Sequence, residues 1–232
     1  AIMYFLGITG FLAIGGKGYF IFQIILMVGL CLLLFMGIFT KRNGNIELML
    51  LIGVILGQGL RSIAAFMRRL LSPSEFDILQ AKLFASVNNS DAEYFPLAIG
   101  IIFFVILGVF LNVRKLNVLS LGKDVATNLG LNHKKATFLS LIAVAILISI
   151  STALVGPMTF YGFLVATLTY ELAKTYDHKY LLIMAMVLAF DILAGSYFIM
   201  NHIFNANGVV SVLIELIGGI SFLILIFKEE KL

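Results

Sequence analysis

The stretch Ala136–Val155, ATFLSLIAVAILISISTALV, runs for twenty residues without a charged side chain. A helix needs about 20 predominantly apolar residues to cross the hydrocarbon core of a bilayer, since each residue advances it by about 1.5 Å. The stretch meets that requirement by itself. The sequence therefore predicts a transmembrane α-helix at this point of the chain.

The whole chain has the composition of an integral membrane protein. Of its 232 residues, 61% are hydrophobic and 12% are charged, and the mean hydropathy is +1.09. A soluble domain carries about 25% charged residues. The predicted fold class is all-α, a polytopic helical bundle embedded in membrane lipid, because apolar runs recur at about 1–15, 19–39, 47–71, 95–113, 136–155, 158–172, 180–203 and 208–227.

Two of these runs are unusual. The run 158–172 is polar for a span, so we expect it to pack inside protein rather than face lipid. The run 1–15 starts without an initiator Met and without a charged segment before it, which is not typical of a signal peptide. We expect that the sequence begins within a longer protein and that upstream spans are missing from it.

Basic residues between the runs predict the orientation. Alternating spans place four basic clusters on one side, and the positive-inside rule makes that side the cytoplasm. The C-terminus is then cytoplasmic, and the net charge of +4 reflects these loops rather than a nucleic-acid partner. The clusters comprise Lys41, Arg42, Arg114, Lys115, Lys123, Lys134, Lys135, Lys174, Lys179, Lys228 and Lys231.

Residue types that support catalysis or metal binding are sparse. His133, His178 and His202 lie far apart and lack the spacing of metal ligands. The single cysteine, Cys31, can form no intrachain disulfide. Residues 10–18, GFLAIGGKG, lack the spacing and the Ser or Thr of a phosphate-binding loop. We predict no catalytic residue, no metal site and no ATP bound by this chain.

Small and ionisable residues inside the runs leave alternatives open. Gly53, Gly57, Gly59 and the pair Gly218-Gly219 mark faces on which helices can approach closely. Ionisable residues within apolar runs indicate a proton or cation relay, a water-lined cavity or structural pairing. Four residues qualify: Arg61, Glu171, Asp191 and Glu215.

A semi-polar segment, LNVLSLGKDVATNLGLN, occupies residues 116–132 between the fourth and fifth runs. We expect Ser120 to cap the start of a short helix and Gly130 to end it. Such a helix at the cytoplasmic face suits docking against another protein. Apolar residues at i, i+4 and i+8 predict a stripe along it, formed by Leu121, Val125 and Leu129.

This segment is similar to the LNxLSLGeexAxxLGv signature of permease subunits in iron–siderophore and vitamin B12 importers of the ABC type. Residues 153–187, ALVGPMTFYGFLVATLTYELAKTYDHKYLLIMAMV, resemble that family's GPIxFxGLxxPHxxRxxxGxDHrxllp. Residues 48–63, LMLLIGVILGQGLRSI, resemble its pathway-lining span. Within residues 160–172, FYGFLVATLTYEL resembles the subgroup that handles catecholate or mixed siderophores such as petrobactin.

The resemblance implies a type II ABC importer permease, with one transmembrane domain over residues 1–232 and a cytoplasmic coupling helix at about 116–132. Such a permease moves ferric siderophore across the bacterial cytoplasmic membrane by ATP-driven alternating access and is not itself an enzyme. Its implied partners are two ATP-binding subunits, which bind the ATP and Mg²⁺, a second permease copy or homologue, and an extracytoplasmic siderophore-binding protein.

The resemblance also implies site residues. The cytoplasmic gate would be formed by Asn43, Gly44 and Asn45. The pathway would be lined by Gly57, Gln58, Arg61 and Ser62. Coupling to the ATPase would use Leu119, Ser120, Leu121, Gly122, Lys123, Asp124, Val125, Ala126, Leu129 and Gly130. The residues alone leave open a proton-coupled secondary transporter, whose carboxylate relay would be Asp191 or Glu215.

Overall fold

A computed structural model of the chain describes residues 17–41, 46–70, 72–73, 92–158, 160–203 and 210–229. Within these ranges the regular structure is helical, with a short 3₁₀ turn at Ala92–Tyr94, and the prediction of an all-α fold is confirmed. The α-helices are α1 Lys17–Lys41, α2 Ile46–Arg69, α3 Phe95–Leu111, α4 Val113–Leu119, α5 Lys123–Asn128, α6 His133–Val155, α7 Tyr161–Ala173, α8 His178–His202 and α9 Val210–Glu229.

Several helices are long and apolar enough to cross a membrane. Three described segments meet both criteria: Leu51–Arg69, His133–Val155 and His178–His202. Helices α3 and α4 make a fourth if they count as one broken span, since they are bent by 61° across Asn112. Apart from α4 and α5, which lie between two runs, the helices begin and end within a few residues of the predicted runs, while the run 1–15 lies outside the described residues.

The chain divides into two compact units. The first holds α1, α2, the part of α3 up to Ile106, and most of α6. The second holds the end of α3 together with α4, α5, α7, α8 and α9. The single transmembrane domain over residues 1–232 stays a prediction.

The core of the first unit is apolar and is formed by three helices. Phe20 and Ile24 of α1 cluster with Ala98 of α3 and Ile150 of α6. The ring of Phe20 stacks on Tyr94, with the ring centroids 4.8 Å apart. Burial of such side chains stabilises a fold by about 1.5–3 kcal/mol each.

In the second unit, α7 is the helix around which packing is organised. Its 13 residues span roughly 20 Å, which is too short for a hydrocarbon core of about 30 Å. It packs against α8 and α9, and the Tyr161 hydroxyl donates a hydrogen bond to the Ala189 carbonyl of α8. Leu164, Val165 and Thr169 are buried. The prediction that this run packs against protein is confirmed for that face.

A glycine permits the close approach between α9 and the start of α7. A Cβ atom built on Gly218 would lie 2.8 Å from the Phe160 Cβ, closer than side chains tolerate. The neighbouring Gly219 has no such neighbour within 4 Å, and neither has Gly53 or Gly57 of α2. The prediction of a close-packing face is therefore confirmed at Gly218.

Candidate functional site

Helices α4 and α5 are joined by a tight turn that only glycine allows. The Ser120 N–H donates to the Leu116 carbonyl at 3.0 Å, and the Gly122 N–H donates to the Leu119 carbonyl at 3.2 Å. Gly122 then adopts φ +92° and ψ 168°, a conformation that residues with a Cβ rarely reach. The residues from Ser120 to Gly130 are called the docking segment below.

The predicted single helix over residues 116–132 is two helices, and the prediction that Ser120 caps the docking helix is wrong. The Ser120 Oγ donates to the Asn117 carbonyl at 2.8 Å and so belongs to the end of α4. Gly122 occupies the N-cap position of α5 and makes no side-chain hydrogen bond. The positive φ at Gly122 breaks the helix two residues after the serine.

The prediction that Gly130 ends the docking helix is confirmed. Gly130 has φ +81°, and its N–H donates to the Thr127 carbonyl at 3.0 Å. The Leu131 N–H donates to the Ala126 carbonyl at 3.0 Å. These two bonds form a Schellman motif, in which a left-handed residue satisfies the last carbonyls of a helix. The docking segment is therefore held at both ends by its own backbone.

The apolar stripe of the docking segment faces away from the rest of the described chain. Leu121 is 57% exposed, Val125 47% and Leu129 62%. Ala126, one residue further around the helix, is fully buried. Ala126 thus faces inward while the larger apolar side chains are exposed. The prediction that all three lie along one helix is wrong for Leu121, because the break at Gly122 places it before α5.

A polar cluster ties α4 to the start of α8. The Asn117 amide Nδ2 donates to the Asp177 Oδ1 at 3.0 Å. The Asn117 Oδ1 accepts from the His178 backbone N–H at 2.9 Å, and the His178 ring Nδ1 lies 2.7 Å from the same oxygen. That ring contact fits the tautomer with hydrogen on Nδ1. These three residues are called the Asn117 clamp below.

Asp177 is also the N-cap of α8. Its Oδ1 accepts from the Lys179 N–H at 3.0 Å, which satisfies one free amide of the first helical turn. The hydrogen bond from Asn117 holds the pKa of the Asp177 carboxyl below its usual value, and the Lys179 bond and charge add to this effect. The Asp177 carboxylate thus accepts hydrogen bonds from both α4 and α8.

The clamp was not among the predicted site residues, although both halves lie in stretches singled out in the sequence. Asn117 is the second residue of LNVLSLG, and Asp177 and His178 begin DHKYLL. Sixty residues separate the two stretches. An amide in one stretch and a carboxylate in the other was the only sign in these two stretches that they could form a hydrogen bond.

The predicted gate residues, Asn43, Gly44 and Asn45, lie outside the described residues. The predicted pathway residues lie on α2 of the first unit, where Gln58, Arg61 and Ser62 are exposed. Their spacing puts them on one face of the helix. The pathway role stays a prediction. The members of this set are Gly57, Gln58, Arg61 and Ser62.

The ionisable residues within the helices are not brought together as a metal site. In the described residues, no group of three or more His, Cys, Asp or Glu side chains could hold an ion. Glu171 and Asp191 are exposed, whereas Glu215 is half-buried. Relay, cavity lining and structural pairing all stay open for them.

Comparison with known proteins gives relatives along nearly the whole chain. The petrobactin import system permease protein FatC of Bacillus anthracis is 51% identical over 230 residues, which cover 99% of this chain and 65% of FatC. The petrobactin import system permease protein YclO of Bacillus subtilis (strain 168) is 40% identical over 214 residues, covering 91% of this chain and 67% of YclO. The chain thus spans about two thirds of the length of these relatives.

The fold has a solved counterpart in a metal-chelate type ABC transporter in an inward-facing conformation. The two align with a TM-score of 0.82 at 20% identity, over 98% of this chain and 74% of that one. The model of the FecCD transport family matches residues 1–228. The agreement of motif, fold and sequence places this chain in the FecCD transport family.

Proposed function

We propose that this chain serves as permease in an ABC importer that moves a ferric siderophore of the petrobactin class across the bacterial cytoplasmic membrane. Two separate subunits would bind Mg²⁺ and ATP and hydrolyse the nucleotide. A second permease, identical or homologous, would complete the pathway, and an extracytoplasmic binding protein would deliver the chelate. The identities to FatC and YclO support this substrate class.

The observation that carries the proposal is the exposed stripe on a segment with fixed ends. Three apolar side chains are exposed on this segment: Val125 within α5, Leu121 just before the break at Gly122, and Leu129 at the C-cap. Glycines with positive φ specify the start and the end of α5. Each of these side chains is already about half covered, so its full burial in a partner's cleft would contribute about 1 kcal/mol before the costs of association. Because its backbone is already ordered, the docking segment also loses little conformational entropy when it binds.

The distribution of basic residues supports a cytoplasmic position for the docking segment. Lys123 lies in the docking segment, and Lys134 and Lys135 follow it within five residues of Gly130. Positive residues collect on the cytoplasmic side of membrane proteins, which is where ATP-binding subunits operate. The C-terminus would lie on the same side.

The mechanism would be alternating access without covalent chemistry in this chain. Closure of the ATP-binding subunits would displace the docking segment, and the membrane helices would reorient so that the pathway opens to the other side. A large chelate would be passed on by weak, dispersed contacts. Gln58, Arg61 and Ser62 on α2 are the side chains proposed to meet it, and Asn43–Asn45 the proposed gate.

The test places a charge on the stripe in the full-length permease, co-expressed with its ATP-binding subunits. Val125→Glu would put an unpaired carboxylate into the interface, at a cost of roughly 3 kcal/mol, which is about 100-fold in affinity. Co-purification of the ATP-binding subunits and substrate-stimulated hydrolysis should both be lost. The subunit itself should still fold, because Val125 is half exposed.

The matched control is Thr127→Glu. Thr127 is exposed, lies on the same helix and faces about 200° away from Val125. It adds the same charge opposite the stripe, so subunit binding should stay within about twofold of wild type. Retention of bound subunits and normal coupling by Val125→Glu would remove the docking assignment. A wild-type chain that binds no ATP-binding subunits would instead favour a transporter driven by a proton relay at Asp191 or Glu215.

A further inference from the structure

The Asn117 side chain uses both ends of its amide across two elements. Its Nδ2 donates to Asp177, and its Oδ1 accepts from the His178 backbone. The contacts are half-buried, which limits competition from water. The amide donates from one atom and accepts at another, whereas an ionised carboxylate at this position could only accept. Replacing Asn117 by aspartate therefore removes the donor and keeps the shape of the side chain.

The clamp joins the docking segment to a candidate transmembrane helix. Asn117 lies in α4, and the turn that follows is hydrogen-bonded through Gly122 into α5. At the other side, Asp177 and His178 are the N-cap and the first residue of α8, which has 25 residues. The docking helix and α8 are thus linked through the Asn117 amide, α4 and the hydrogen-bonded turn that ends at Gly122.

The geometry of these bonds suits transmission of a displacement. A movement of α5 would reach α4 through the turn that joins them, because the Leu121 and Gly122 N–H groups donate back to Val118 and Leu119 of α4 and the two short helices are in contact. The displacement of α4 would reach α8 at its first turn, where the Asp177 carboxylate accepts a hydrogen bond from the Lys179 N–H. Coupling between distant sites travels through such contiguous contacts.

We propose that Asn117 is a positioning residue that transmits movement of the docking segment to α8, an inference that rests on the proposed importer function. Loss of the clamp should uncouple ATP hydrolysis from transport without detaching the ATP-binding subunits. Residue 117 lies outside the stripe, so binding and transmission are separable by mutation.

The experiment uses the full importer in proteoliposomes, with its binding protein and ferric petrobactin as the probe. Asn117→Asp removes the donor and sets a carboxylate against Asp177, so uptake per ATP hydrolysed should fall about tenfold. Co-purification of ATP-binding subunits should stay at the wild-type value, while the melting temperature falls modestly because the clamp also stabilises the fold. A purely structural role would lower the melting temperature alone and leave uptake per ATP unchanged in the folded fraction.

Two further variants make the test specific. Asn117→Asp combined with Asp177→Asn restores an amide–carboxylate pair with the roles exchanged, and asparagine caps helices as well as aspartate does. This double variant should regain most of the coupling. Asn132→Asp makes the same substitution at the N-cap of α6, where the Lys135 N–H keeps its acceptor, and should couple normally.

Different failures have different meanings. If wild-type importer couples and Asn117→Asp couples equally well, or if the double variant recovers nothing, the clamp does not transmit movement and the proposed function stands. If the wild-type chain neither binds ATP-binding subunits nor responds to ferric petrobactin, the proposed function fails and this inference fails with it.

Discussion

Of two apolar surfaces in the second unit, one is covered by a neighbouring residue and the other is exposed. On α9, the surface at Gly218 is filled by Phe160, whose Cβ would lie 2.8 Å from an added Cβ. On the docking segment, Leu121, Val125 and Leu129 remain between 47% and 62% exposed. Both surfaces are apolar and both have glycine at or beside them. The first is covered within the subunit, and the second is exposed in the described chain.

The difference shows that the backbone, rather than composition, separates these roles. Gly218 has ordinary helical surroundings and is required because a neighbour is close. Gly122 and Gly130 are required because their φ angles are positive, and a Cβ atom built at either position would meet no neighbour within 4 Å. A glycine that makes room indicates an internal contact, whereas a glycine that turns the chain around an open helix indicates a presented surface.

The largest expected effect on the stability of the subunit is at Gly218. Gly218→Ala forces the added methyl group against Phe160, and overpacking of this kind costs about 1–3 kcal/mol. The melting temperature of the purified subunit should fall. Gly219→Ala is the matched control, because it gains helix propensity worth roughly 0.5–1 kcal/mol and meets no neighbour. Equal melting temperatures for the two variants would mean that α9 and the start of α7 are not in close contact.

Local signals made much of this architecture predictable. Apolar runs located the described helices to within a few residues, since a bilayer demands uninterrupted apolar length. The sequence predicts the helix end at Gly130 correctly, because a Schellman motif involves only residues that are close together in the sequence. Ser120 was misassigned because a serine before a short helix looks like a cap, and the sequence does not display the positive φ of Gly122.

Non-local contacts were out of reach. The clamp pairs Asn117 with residues sixty positions later, and no periodicity or cap connects them. Gly218 and Gly219 are indistinguishable in sequence, yet only one meets Phe160. Which of two neighbouring glycines faces a partner depends on the rotation of α9, which packing in the second unit determines.

An intermediate effect is expected at the end of the docking helix. Gly130→Ala must hold φ +81° with a Cβ, which costs on the order of 1 kcal/mol. Amide hydrogen exchange of the residues from Lys123 to Leu131 should accelerate about fivefold, while the core of the second unit is unchanged. Gly130→Asn should lie between wild type and Gly130→Ala, because asparagine tolerates the left-handed region. If alanine and asparagine behave alike, the stripe is not held in place by this turn.

The smallest effect concerns the polar side of the same region and appears only in acid. The clamp lowers the Asp177 pKa beneath its ordinary value of 3.8, so the folded state favours the carboxylate. The stabilisation is complete above that value and is lost as the pH falls through the lowered folded pKa. Exchange of the Lys179 amide should therefore speed up only in that acidic window. In Asn117→Ala the pKa of Asp177 should move back toward 3.8, so the faster exchange of the Lys179 amide should begin at a higher pH. If that exchange begins at the same pH in the variant, the Asn117 amide does not stabilise the carboxylate.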